Sequence, residues 1–225
     1  MPLKYAYLVC CFILLIFWLI IFFLRKDLRK EMLWASIVGL PFGFIDYFLI
    51  PGYWHPDVVF DLNIKHGFGL ESFLFFSLMA GITSVIYEFV EKKKLVKIKG
   101  NKHHHFLILI FAVVFFITLG IIFPNHIIYN LIITLFVGGI ILIFLRKDLL
   151  RKILTSGFIF AVFYFIVFIV INKIFSNFVS SFFNVSSIGS ISVIGVPIEE
   201  LLAAFTGGMF WSALYEYVNA FREDL

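Results

Sequence analysis

The sequence predicts an all-α polytopic membrane protein, with about seven transmembrane helices arranged as two parallel three-helix repeats plus a connecting helix. Of its 225 residues, 62% are hydrophobic and 32 are Phe, and the mean hydropathy is +1.06. This composition lies far outside that of soluble domains. Apolar runs near the length of about 20 residues needed to cross a membrane occur at roughly 5–24, 32–50, 69–90, 105–123, 126–145, 153–173 and 193–218.

The first apolar run is predicted to remain in the membrane as a helix and not to be removed as a signal peptide. It is too long for a signal peptide and has no small-residue cleavage site. Cys10 and Cys11 lie side by side within it, where they can neither join distant segments nor provide metal-ligand spacing. We interpret them as packing residues. Basic residues follow the run in a stop-transfer pattern, at Arg25, Lys26, Arg29 and Lys30.

The Lys and Arg residues are divided unequally between the loops that seven spans create. Fifteen of the 18 fall in the C-terminal tail and in the loops after the first, third and fifth spans, and three fall on the other side. Because cytoplasmic loops carry an excess of basic residues, the N-terminus is predicted outside and the C-terminus in the cytoplasm. The net charge of +4 then reflects topology, and no nucleic-acid partner is expected.

Two segments of the chain recur in the same order. FLRKDLRKEML at 23–33 reappears as FLRKDLLRKIL at 144–154, and GFGLESFLFFSLMAGITSVIYEFV at 67–90 aligns with GVPIEELLAAFTGGMFWSALYEYV at 195–218. The offsets are 121 and 128 residues, so the repeats differ by a short insertion. Parallel repeats of this kind place a shared site where the two halves meet. The predicted division is 1–95 for the first three-span repeat, 96–123 for a basic loop and connecting helix, and 124–225 for the second repeat.

Acidic residues at membrane depth are the strongest functional candidates, because an ionisable side chain there is costly. At a rise of 1.5 Å per residue, the glutamates at the head and foot of each aligned segment lie about 25 Å apart, near opposite faces of the membrane. Glu71, Glu199 and Glu200 are therefore predicted in the outer half, together with Asp46. The loop between the second and third spans offers further polar candidates, which are Trp54, His55, Asp61 and His66.

The PIEE motif has two interpretations. Gly195, Pro197 and the acids that follow are typical of a helix start, where carboxylates are favoured by the helix dipole. Adjacent helical residues point about 100° apart, so Glu199 and Glu200 cannot serve one spot. One of them is expected to face the bundle interior while the other binds backbone donors or a partner from the first repeat. Such different surroundings suit an acid and base pair.

Other repeated features have a structural interpretation. The Tyr-Glu pairs that end the aligned segments fit an interfacial aromatic belt with solvated glutamates beside it; they are Tyr87 with Glu88 and Tyr215 with Glu216. Small residues are expected at close helix contacts, namely Gly81, Ala203, Ala204, Gly207 and Gly208. Consecutive residues on a loop define no coordination geometry, so no metal site is predicted at His103, His104 and His105.

These residues together resemble a known family. The pairing of YWHPDVVFDLNIKHGFGLESFLFFSLMAGITSVIYE with GVPIEELLAAFTGGMFWSALYEY is similar to the membrane-integral, flavin-free lycopene cyclases. It resembles the fused form of those that elsewhere occur as two three-span subunits. PIEE is the motif of that family, and here it occurs with WSALYE and the internal repeat. The first half departs from the pattern, because it has GLES where the second half has PIEE.

The resemblance implies an acid-base isomerisation of a linear carotenoid, without redox change and without cofactor or metal. A proton would be added at the ψ-end, the carbocation would close a ring, and a ring proton would be lost. Glu199 or Glu200 is then the expected acid, and Glu71 the carboxylate that steadies the cation or removes the second proton. Substrate-binding wall residues are predicted at Asp46, Trp54, Tyr87, Trp211 and Tyr215.

Two functions of other classes remain open on the sequence. One is a small transporter built from parallel repeats, in which the outer acids bind a cation or proton. The other is a non-catalytic membrane scaffold in which these acids only cap helices. The expected partners are the lipid bilayer and a hydrophobic linear carotenoid, and the sequence leaves the oligomeric state open.

Overall fold

A computed structural model describes residues 2–50, 52–62, 68–93, 95–97, 106–184, 189, 191–219 and 221–223. The protein is all-α, as the sequence predicts. Its α-helices are α1 (Ala6–Leu24), α2 (Arg29–Gly39), α3 (Ile45–Leu49), α4 (Leu70–Glu91), α5 (Leu107–Ile122), α6 (Ile127–Leu145), α7 (Leu150–Ile174), α8 (Phe178–Phe182), α9 (Ile198–Ser212) and α10 (Leu214–Asn219).

Short 3-10 helices and two small antiparallel strand pairs connect these elements. The 3-10 helices are Leu3–Tyr5, Leu40–Phe44, Pro124–His126 and Lys147–Leu149. The strands are β1 (Leu95–Lys97), β2 (Ser192–Val193), β3 (Val196–Pro197) and β4 (Phe221–Glu223), of which β1 pairs with β4 and β2 with β3. The β2–β3 hairpin leads directly into α9.

Among the described residues, five helical segments are long and apolar enough to cross a membrane, so the chain is a membrane protein. They are Leu3–Leu24, Arg29–Leu49, Leu70–Glu91, Pro124–Leu145 and Lys147–Ile174. The other two predicted spans are shorter helices: α5 has 16 residues, and the last span is divided at Ala213 into α9 and α10. The predicted count of seven spans therefore stays a prediction.

The helices of the two halves pack in the same pattern. In the first half α1 and α2 both pack on α4, and in the second half α6 and α7 both pack on α9. Close approach depends on small residues in each pair of helices. A Cβ on Gly208 would lie 2.7 Å from the Cα of Gly157, and a Cβ on Gly39 would meet the side chain of Ala80. The predicted domain boundaries stay a prediction, but α4 and α9 occupy corresponding places.

The repeated FLRKDL segment ties the first helix of each half to the end of the third. Arg25 forms two hydrogen bonds with the Asp27 carboxylate, at 3.0 and 2.8 Å, and its Nη1 donates to the Glu88 carbonyl at 2.5 Å. Arg146 binds Asp148 at 2.9 and 2.7 Å, and its Nη1 donates to the Glu216 carbonyl at 3.0 Å. Arg25 and Arg146 thus donate hydrogen bonds to backbone carbonyls of another helix, in addition to any effect of their charge on topology.

Glu88 and Glu216 are not solvated, and this part of the sequence interpretation is wrong. Both side chains are fully buried, and both carboxylates contact the ammonium group of Lys152. Glu31 lies beside them, with its Oε1 3.7 Å from the same ammonium. Lys152 lies near the start of α7, and the packing of that helix brings its ammonium group to these acids. The contact pairs charges that would otherwise be costly to bury. The periodicity of a single segment does not show such a contact.

Candidate functional site

A cavity with about 1110 Å³ of empty space, its open mouth included, lies where the two halves meet. Helices α1, α4, α6, α7 and α9 line most of it, and their contribution is mainly aliphatic and aromatic. Two carboxylate side chains among the described residues line it, those of Asp46 and Glu200. They come from different halves of the chain, so the cavity is shared between the repeats.

Glu200 is held by two tyrosines. Its Oε1 accepts a hydrogen bond from the Tyr53 hydroxyl at 2.6 Å, and its Oε2 accepts one from Tyr164 at 2.5 Å. Tyr53 follows α3, whereas Tyr164 lies on α7, so the carboxyl is fixed from both halves. Burial raises the pKa of Tyr53 well above its ordinary value, and the nearby Glu200 carboxylate adds to this rise. Tyr53 therefore stays a hydrogen-bond donor at neutral pH.

The start of α9 orients Glu200. Val193 pairs with Val196 across a two-residue turn in which both Ile194 and Gly195 have positive φ, at 52° and 77°, which suits a tight hairpin and favours glycine. The helix begins at Ile198, directly after Pro197. Both acids of PIEE then lie in the first helical turn, as the sequence predicts.

Asp46 is the second carboxylate of the cavity. It lies on α3, is 1% exposed, and its Oδ2 accepts a hydrogen bond from the Tyr7 hydroxyl at 2.8 Å. Trp54 packs against Tyr7 in an edge-on arrangement, with 4.9 Å between the ring centroids. The α3 backbone and the Tyr7 contact therefore hold Asp46 in a fixed orientation. The sequence placed Asp46 and Trp54 in the substrate wall, and both line the cavity.

The side chain of Glu199 has different hydrogen-bond partners from that of Glu200, because adjacent residues of a helix point in different directions. Its Oε1 accepts hydrogen bonds from the Tyr129 hydroxyl at 2.7 Å and from the Gly189 amide at 2.6 Å. It is 1% exposed, but it does not belong to the residues that line the cavity. Glu199 thus organises the chain before α9, and Glu200 is the member of the pair that reaches the cavity.

Glu71 repeats the arrangement of Glu199 in the first half. Its Oε1 accepts hydrogen bonds from the backbone amides of Val59 and Phe60, at 2.7 and 3.1 Å. Glu71 does not line the cavity, so the structure does not bring it to Glu200 as the sequence interpretation expected. The position next to it in GLES is Ser72, which corresponds to Glu200. The first half accordingly supplies its cavity carboxylate from α3.

Of the three remaining predicted wall residues, one lines the cavity and two do not. Trp211 lines the cavity with Trp54, but Tyr87 and Tyr215 do not. Tyr87 is buried, and Tyr215 packs edge-on against Trp34 with 5.5 Å between centroids. Two of the other loop candidates, His55 and Asp61, are exposed and do not line the cavity. The third, His66, lies outside the described residues, as do His103, His104 and His105, where no metal site was predicted.

Three tyrosines of the site were missed on the sequence. Tyr7 and Tyr164 lie inside apolar runs, where a Tyr is taken as a packing residue, and Tyr53 lies in the loop after the second predicted span. Tyr7, Tyr53 and Tyr164 direct their hydroxyls to the two carboxylates. The small residues of α9 differ in their surroundings. Gly208 lies at a helix contact as expected, and Ala203 and Ala204 pack against hydrophobic clusters while also lining the cavity. The prediction is wrong for Gly207, which lines the cavity without such a contact.

Comparison with known proteins adds one family. The family model for lycopene cyclase matches residues 125–218, which run from the start of α6 into α10 and include Glu199, Glu200 and Trp211. No curated protein and no solved structure matches the chain. The match thus lies in the second half of the protein, which carries PIEE, and it supports a lycopene cyclase family domain there.

Proposed function

We propose that this protein is a lycopene cyclase-like enzyme of carotenoid biosynthesis, which forms a ring at the ψ-end of a linear carotenoid. The reaction is an acid-base isomerisation through a carbocation. One observation carries the proposal: two buried carboxylates, Asp46 and Glu200, share a largely apolar cavity between the repeats. The family match over residues 125–218 supports the class of substrate.

The chemistry requires one proton to enter and one to leave. In the proposed mechanism Glu200, in its protonated form, gives a proton to the terminal double bond of the ψ-end. The neighbouring double bond attacks the resulting cation with its electron pair, and the new carbon–carbon bond closes the ring. Asp46 then removes a ring proton, and the electron pair of the broken C–H bond forms the ring double bond. Product and substrate are isomers, so neither an oxidant nor a reductant is consumed.

The surroundings of the two acids support these roles. A carboxylic acid protonates an alkene only where water does not compete for the proton, and the cavity wall is mainly apolar. Tyr53 and Tyr164 fix the Glu200 carboxyl, whereas Tyr7 fixes Asp46. Phe75 and Phe76 also line the cavity, and aromatic ring faces stabilise positive charge. Glu199 and Glu71 act in this proposal as structural acceptors.

The orientation in the membrane is part of the proposal. The N-terminus lies outside and the C-terminus in the cytoplasm, because fifteen of the 18 Lys and Arg residues fall on one predicted side. Asp46 and Glu200 then lie in the outer half of the bundle. A tag at each terminus, probed for accessibility in intact cells, is expected to report opposite sides. Two tags on one side would contradict this orientation.

Expression in bacterial cells that accumulate lycopene tests the function. The wild-type chain is expected to convert lycopene into a cyclised pigment of equal mass that absorbs at shorter wavelength. Glu200→Gln and Asp46→Asn are each expected to lower conversion by about 10²–10⁴-fold, the usual contribution of general acid-base catalysis. The matched control is Glu199→Gln, which removes the neighbouring acid outside the cavity and is expected to keep conversion per folded protein.

Two outcomes would contradict the proposal. Unchanged pigments with wild-type protein folded in the membrane would favour a transporter or a scaffold. Full conversion by Glu200→Gln would remove Glu200 as the acid. A reaction run in D₂O checks the proton transfer itself, since the acid exchanges with solvent: each ring formed is expected to add one deuterium to the product mass.

A further inference from the structure

The cavity extends along one face of α9. Glu200, Ala203, Ala204, Gly207 and Trp211 all line it, and their spacing of three to four residues places them on successive turns of one helix face. Eleven residues separate Glu200 from Trp211, which corresponds to about 16 Å along the helix axis. The residues of α9 that line the cavity between these two ends are small, namely Ala203, Ala204 and Gly207, so the space continues from the carboxyl to the indole ring.

Helix α4 supplies another part of the wall, with three large side chains and the smaller Ala80 and Thr83. At the repeat offset of 128 residues, Phe75 and Phe76 correspond to Ala203 and Ala204, and Met79 corresponds to Gly207. All three large residues line the same cavity. The two corresponding helices therefore differ in bulk at matching positions, and the open space lies on the α9 side.

Gly207 is not required for helix packing. A Cβ built on Gly207 meets no atom of the described residues within 4 Å. On the next residue, Gly208, a Cβ would lie 2.7 Å from the Cα of Gly157 and 2.9 Å from the Ser156 carbonyl oxygen. Two adjacent glycines thus have different roles: Gly208 allows α7 and α9 to approach, and Gly207 leaves space in the cavity.

We propose that this face of α9 binds the conjugated chain of the linear carotenoid, with its acyclic end at Glu200, and that Gly207 determines whether the chain fits. This inference rests on the proposed function. A conjugated polyene is rigid, straight and without polar groups, so a protein recognises it by shape and dispersion contacts. An apolar space, or slot, that extends about 16 Å along α9, with an acid at one end, suits such a chain. Trp211 offers its indole ring at the far end.

Gly207→Leu tests the slot by filling it. The side chain enters open space, and leucine has the higher helix propensity, so the variant is expected to fold at least as well as wild type. Conversion of lycopene is expected to fall by about tenfold or more, the effect of one or more excess methylenes in an apolar pocket. The matched control is Leu202→Phe, because Leu202 lies on α9 but is 41% exposed and outside the cavity.

A binding measurement separates the slot from the chemistry. Protein carrying Glu200→Gln, purified from lycopene-accumulating cells, is expected to retain lycopene, measured as absorbance per protein. Adding Gly207→Leu to Glu200→Gln is expected to lower the retained lycopene by about tenfold, by the same steric exclusion. Ala203→Leu, one turn nearer the acid, provides a second variant should Gly207→Leu fail to accumulate.

The outcomes distinguish this inference from the proposed function. Wild-type conversion together with equal conversion by folded Gly207→Leu or Ala203→Leu would overturn the slot and leave the cyclase proposal intact. A wild-type chain that folds but converts no linear carotenoid would overturn both. Loss of conversion with unchanged lycopene retention in the Glu200→Gln background would also overturn the slot, because the residue would then act on the reaction and not on binding.

Discussion

Helix α4 corresponds to α9 together with α10, and the two segments have similar polar contacts at their ends but different side chains in their middle turns. Glu71 and Glu199 each accept backbone amides near the head of the helix. At the foot, Glu88 and Glu216 both contact Lys152. The groups that occur in both helices therefore hold the bundle together, and they lie outside the cavity.

Several positions that differ between the halves line the shared cavity in one half or in both. Ser72 corresponds to Glu200, Met79 to Gly207 and Thr83 to Trp211. The second half thus supplies an acid, an open slot and an indole ring, whereas the first half supplies bulk from α4 and a carboxylate from α3. After a duplication, residues that pack inside each unit are held by the same contacts in both copies. Residues that line the cavity between the units are not held by those contacts, so they can differ between the copies.

The largest effect is expected when the equivalent positions 72 and 200 are each substituted and the two variants are compared. Glu200→Gln is expected to lower conversion of lycopene by about 10²–10⁴-fold, because the proton donor is lost. Ser72→Ala is expected to keep conversion within about tenfold, since a serine hydroxyl does not supply general acid catalysis at this level. The measurement is pigment formed per folded protein. Equal losses in both variants would contradict an acid confined to the second repeat.

The next largest effect concerns the buried charges. Lys152→Met leaves Glu31, Glu88 and Glu216 buried without their ammonium partner, and loss of one partner of a buried ion pair costs about 3–5 kcal/mol. The variant is expected to lose most folded protein in detergent, measured by size exclusion and thermal unfolding. Lys147→Met, at an exposed position in the same segment, is the control and is expected to behave as wild type.

The same cluster offers a test of the repeat itself. Glu31 and Lys152 are equivalent at the offset of 121 residues, and both lie in the cluster. The double exchange Glu31→Lys with Lys152→Glu conserves the charges and their approximate places. It is expected to recover part of the folded yield that either single exchange loses. No recovery would show that the two positions are not interchangeable about the repeat axis.

A smaller effect is expected at the two adjacent glycines. Gly208→Val forces a side chain against Gly157 and is expected to destabilise the fold by about 1–3 kcal/mol, the usual cost of overpacking. Gly207→Val faces open space and is expected to keep the melting temperature within about two degrees, since its effect on stability is near that of a surface substitution. Thermal unfolding in detergent compares them. A similar destabilisation at both positions would contradict the different roles of these residues.

The smallest effect is expected at the amide-binding acids. Glu71→Gln and Glu199→Gln keep an oxygen acceptor but lose its charge, which weakens each hydrogen-bond set by about 1 kcal/mol. Both variants are expected to unfold slightly earlier and by similar amounts, with conversion per folded protein retained. A loss of conversion in Glu199→Gln as large as that in Glu200→Gln would place both acids in the reaction and end the distinction between them.

Local patterns in the sequence predicted much of the fold but less of the site. The membrane location, the helical class and the helix start at PIEE follow from composition and short-range spacing. The different directions of the Glu199 and Glu200 side chains also follow from the sequence, because adjacent residues of any α-helix point about 100° apart. Asp46, Trp54, Glu200 and Trp211 were candidates on the sequence and line the cavity. Partners that come from distant helices could not be predicted in the same way.

The sequence by itself determined that the chain is an apolar helical protein with a duplicated frame and acids at its helix ends, because these properties depend on residue type and on neighbours along the chain. Only the tertiary structure decided that Asp46 and not Glu71 shares the cavity with Glu200, that Lys152 contacts three buried glutamates, and that Gly207 faces open space while Gly208 faces a helix. Each of these depends on which helices meet and at what depth, and that is set by the packing of the whole bundle.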